Sequence, residues 1–72
     1  MARVVITVVG GAIQHIMADT KDVEVMVLDY DVEGPNPERV KKYDGETVYV
    51  FSGVDEVNPK LVREIADTLF ND

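Results

Sequence analysis

Asp29 and Asp31, two carboxylates flanking Tyr30 at the end of an apolar run, are the side chains in this sequence best spaced to do chemistry. On an extended backbone, residues two apart share one side of a strand, so the pair can face a cation or the hydroxyl and amine donors of a polar ligand. Gly10 and Gly11 add amides that no side chain shields, and Gln14 and the single histidine, His15, follow closely. If Ala18 pairs with Val23, Asp29 falls opposite Ala12, beside the glycine pair. Gly10, Gly11, Gln14, His15, Asp29, Tyr30 and Asp31 would then form one ligand-binding sheet end. No catalytic set, metal site or cofactor is expected among them.

Other chemistries fit less well. Asp29, Asp31, Glu33 and Gly34 match the opening of a calcium loop, but Val40 stands where the bidentate glutamate is needed, and Pro35 and Pro37 stiffen the middle. One histidine and no cysteine make a zinc site improbable. The glycine pair follows an apolar strand, as a phosphate cradle would, yet the Walker lysine and hydroxyl and the dinucleotide-binding glycine spacing are missing. Ser52, Thr7 and Thr47 have no context of an activated hydroxyl. Tyr30, Tyr43, Tyr49 and Phe51 can stack on a base, although core or interface is the simpler use for them.

Positioning these groups falls to a few short elements. Val4 to Val9 is almost wholly β-branched, which favours extended backbone because such side chains crowd a helical turn. Gly10 and Gly11 then allow a two-residue hairpin turn, which sets Val8 opposite Ile13, Ile6 opposite His15 and Val4 opposite Met17 and places His15 on the helix-facing side. Asp19 to Asp22 reads as a polar turn. Val23 to Tyr30 is a third strand, apolar at both parities, that wants cover on both faces. Gly34 to Pro37 breaks the sheet, and Pro37 to Tyr43 is a short helical turn. Asp44 and Gly45 make a tight turn before a fourth strand, Glu46 to Phe51. Asn58 and Pro59 start a helix whose stripe is Leu61, Val62, Ile65, Ala66, Leu69 and Phe70. The expected fold is a single α+β domain over residues 1–72. It is a four-stranded, mainly antiparallel sheet in the order β-β-β-loop-β-α, with one C-terminal helix packed on one face.

A 72-residue chain buries only about 60% of the surface its unfolded form exposes, and without cysteine no disulfide supplements the core. One helix covers one sheet face, so the valines of the opposite face are expected to meet another subunit, in a homo-oligomer. The net charge of −7 argues against nucleic acid as a direct partner. No signal-like opening and no apolar run of about 18 residues is present, so the expectation is a cytoplasmic protein that makes no membrane contact.

Val9, Gly10, Gly11, Ala12, Ile13 and Gln14, then Val23, Glu24, Val25, Leu28, Asp29, Tyr30 and Asp31, and finally Glu56, Val57, Asn58 and Pro59 carry a resemblance over nearly the whole chain. They resemble a largely uncharacterised family of very small proteins from bacteria, phages and other mobile elements. The resemblance brings no activity with it, but its context implies three classes of job. First comes a non-enzymatic interaction module that assembles through its apolar face and recognises a host protein through its acidic sheet end. Second is an oligomeric sponge that binds or sequesters a nucleotide-like signal at Gly10, Gly11, Gln14 and Asp29. A hydrolytic enzyme using Asp29 and His15 ranks last, because no recognisable catalytic set accompanies them.

Overall fold

The computed structural model describes residues 2–31 and 37–71. It is an α+β structure whose strands divide between two small sheets. The first contains β1 (Val4–Val9), β2 (Ala12–Ala18) and β6 (Glu56–Val57) in the order β1-β2-β6. The second contains β3 (Met26–Asp29), β4 (Val40–Tyr43) and β5 (Glu46–Ser52) in the order β3-β5-β4. A helix, α1 (Pro59–Ile65), continues through a π-helical turn at Ala66–Phe70.

The first hairpin forms as its residues dictate. Gly10 and Gly11 have φ of 58° and 80°, the left-handed pair that a two-residue hairpin turn needs. Val8 lies opposite Ile13, as expected, but the register then shifts between Thr7 and Val8. Gln14 is the extra residue of this bulge, so Thr7 pairs with His15, Ile6 with Ile16, Val5 with Met17 and Val4 with Ala18. The expected pairs Ile6 with His15 and Val4 with Met17 are thereby corrected by one residue.

Among the described residues the strands form two three-stranded sheets, and the expected single four-stranded sheet is not shown. β3 does not fold back on β2, and Asp29 lies opposite Tyr49 rather than Ala12. The reason lies at the outer edge of β2, which β6 occupies in parallel, Met17 pairing with Glu56 and Ala18 with Val57. The Asp55 amide donates to the Ile16 carbonyl at 2.7 Å, and the Asn58 amide to that of Ala18 at 2.8 Å. With that edge taken, β3 pairs antiparallel with β5 instead.

Within the expected helical segment Pro37 to Tyr43, a 3₁₀ turn occupies only Pro37–Arg39, and β4 follows. Asp44 and Gly45, with φ of 52° and 81°, form a second left-handed two-residue turn that folds β4 onto β5. The Arg39 guanidinium lies 4.5 Å from the Phe51 ring centre and donates to the Val50 carbonyl at 3.3 Å. Phe51 meets Tyr49 edge to face at 5.5 Å.

Asn58 caps α1 as its type predicts, its side-chain oxygen accepting from the Leu61 amide at 3.0 Å, with Pro59 in the first turn. The core consists of Ile16, Met17, Ala18, Val25, Val48 and Val62, and no polar residue is buried among the described residues. Leu61, Ile65 and Ala66 are half-buried. The stripe fails at its end, where Leu69 and Phe70 are 67% and 76% exposed. β3 is covered on one side only, since Val25 is buried and Val27 half-buried while Met26 and Leu28 stand open. Among the described residues no helix is long and apolar enough to cross a membrane.

Candidate functional site

A polar cluster joins β2 to the segment before α1. Pairing with Thr7 turns His15 toward β6, and its Nε2 lies 2.9 Å from Glu56 Oε1. Its Nδ1 is 3.9 Å from Asp55 Oδ2, and that same oxygen accepts the Ile16 amide at 2.9 Å. The Asn58 side-chain amide donates to Glu56 Oε2 at 2.9 Å. Glu56 thus has both carboxylate oxygens engaged. Hydrogen bonds from Asn58 and then from His15 hold its pKa below the ordinary 4.5.

Both imidazole nitrogens face carboxylates, Nε2 within hydrogen-bond distance of Glu56 and Nδ1 at 3.9 Å from Asp55, and Thr7 is the cross-strand neighbour of His15. The His15–Glu56 hydrogen bond ties β2 to β6. No group of three or more His, Cys, Asp or Glu among the described residues is disposed to bind a metal ion.

The glycine end is assembled differently from the expectation. Asp31, not Asp29, comes to the glycine pair, its Oδ2 lying 3.8 Å from where a Cβ on Gly11 would stand. Asp29 Oδ1 accepts the Asp31 amide at 2.9 Å, a local turn that sets the direction of Asp31. Gln14 sits exposed on the bulge, and Tyr30 is exposed beside the two aspartates. His15 belongs to the β6 cluster instead. Of the expected ligand-binding set, Gly11, Asp29 and Asp31 are thus brought together, and His15 is held elsewhere. Glu33 and Gly34, from the calcium-loop comparison, lie outside the described residues.

Asp55 and the functional use of Glu56 escape sequence reasoning, because their partner is 41 positions away from Glu56. The one local signal is the density of Asp55, Glu56 and Asn58 just before a helix start. One groove among the described residues, about 390 Å³, runs between Arg3, Val4 and Val5 of the first hairpin and Val62, Ile65, Ala66, Phe70 and Asn71 of the helix, apart from both clusters. Comparison of the chain with family models, curated proteins and solved structures finds no match.

Proposed function

We propose that this chain is a non-enzymatic interaction module that works as a homo-oligomer and recognises a protein partner through the acidic end at Asp29 and Asp31. The observation that carries the reading is the surface. The accessible area is 5566 Å² for a chain of 8.0 kDa, where a folded monomer of this mass exposes about 4,450 Å². The excess of about 1,100 Å² is of the size that one partner gives up in a standard interface, about 800 Å². A radius of gyration of 13.9 Å, against about 11 Å for a compact chain of this length, points the same way. The exposed side chains include the large apolar ones of Val8, Val9, Met26, Leu28, Tyr43, Leu69 and Phe70. The mobile-element resemblance supplies the context for a host protein as the second partner.

Sedimentation across a micromolar concentration series tests the assembly, which is expected to be oligomeric throughout; a monomer at high micromolar concentration overturns it. Charge reversal at Asp29 and Asp31 is expected to release a co-purifying protein while leaving the oligomer intact. A second reading, sequestration of a nucleotide-like small molecule, is favoured by the approach of Asp31 to Gly11. Native mass spectrometry before and after denaturation checks it, through a small mass that leaves with the fold.

A further inference from the structure

The geometry points to β1 as the seam between two copies, pairing antiparallel with β1 of the second copy so that the partner's Val8 closes the groove between Val4 and Phe70. This rests on the oligomeric reading above and says where the copies meet.

Among the described residues β1 has a strand neighbour on one side only. The Asp19 amide donates to the Arg3 carbonyl, and the Arg3 amide to Asp19 Oδ1, so the main chain of Arg3 faces β2. Antiparallel alternation then turns the N–H and C=O groups of Val4, Ile6 and Val8 outward. The bulge does not disturb this, because its extra residue is on β2.

Natural proteins blunt open edges with charge, proline or shortness. The other three edges follow that rule. β6 has two residues and carries Glu56, β4 carries Lys41 and Lys42, and β3 has four residues and ends in Asp29. β1 alone is six residues long with no charge between Val4 and Val9. At about 3.4 Å per residue it offers an edge of about 20 Å.

The flanking residues select the direction. A parallel pair would set the two copies of Arg3 side by side, whereas an antiparallel pair centred on Ile6 separates them and brings Val8 of one copy opposite Val4 of the other. Val4 lines the groove with Val62, Ile65, Ala66 and Phe70. Val8 is 57% exposed, and cross-strand partners share one sheet face. Each copy thus supplies the apolar side chain that the other's groove lacks, and two-fold symmetry closes the assembly at two.

The chain has no cysteine, so Ile6→Cys introduces a unique thiol at the symmetry axis. Directly opposed residues of an antiparallel pair have Cα atoms about 5.5 Å apart, within the span of a disulfide. Oxidation of Ile6→Cys is expected to give a covalent dimer, while Lys42→Cys, on another edge, gives none. Val8→Lys is expected to weaken the dimer by about tenfold or more, since the seam would bury an unpaired charge. A dimer that survives Val8→Lys and leaves Ile6→Cys unlinked overturns the seam but leaves assembly standing; a monomeric wild type overturns both. Amide exchange on the unsubstituted protein covers the case of a variant that fails to fold. Val4, Ile6 and Val8 are expected to be protected at high concentration and to exchange quickly on dilution, and rapid exchange at every concentration overturns the seam.

Discussion

Glu56 adds a side-chain fastening to the main-chain bonds that attach β6 to β2. Its carboxylate takes hydrogen bonds from Asn58 and His15, and its pKa lies below 4.5 for that reason. A carboxylate with a depressed folded-state pKa stabilises the fold in its ionised form. That contribution is complete above the ordinary 4.5 and is lost as pH falls through the lower folded value. Urea midpoints of wild type and Glu56→Ala, measured from neutral pH downward, are expected to differ at neutrality and to converge in acid. The exposed position of the group keeps the difference modest.

At the scale of elements, the two left-handed turns decide which strands become neighbours. Gly45 has φ of 81° with open space where a Cβ would stand, so Gly45→Ala meets backbone strain alone and is expected to cost about 1 kcal/mol, read from chemical denaturation. The strand before the Asp44 and Gly45 turn was legible in principle, because such a pair marks a hairpin and demands strands on both sides. Pro37 and the polar run after it obscured that signal. The glycine hairpin, β5 and the Asn58 cap could be read from local residue types, each depending on neighbours within a few positions. The bulge at Gln14 and the capture of the β2 edge by β6 could not. A bulge changes register without changing composition, and β6 is two residues long. The same distance effect hid the partner of His15, whereas the turn joining Asp29 to Asp31 is local and was half visible in the Asp-Tyr-Asp spacing.

For the whole molecule, apolar surface and net charge act against each other. Copies that each carry −7 repel on approach, and salt weakens that repulsion as the screening length shrinks from about 30 Å at 0.01 M to about 10 Å at 0.1 M. Self-association is therefore expected to tighten as salt is added, checked by sedimentation at several ionic strengths; weakening would mean that ion pairs hold the copies together. The fastening of β6 onto β2 also has a consequence in time. The hairpins close over two-residue turns, within microseconds, but His15 and Glu56 must meet across 41 positions, at a larger entropy of loop closure. The strap is thus expected to dock late, and Glu56→Ala to speed unfolding while leaving the refolding rate nearly unchanged. Until the strap docks, β2 presents an open edge that the Glu56–Val57 segment of a neighbouring chain can fill, so the yield of refolding should fall as the chain concentration rises.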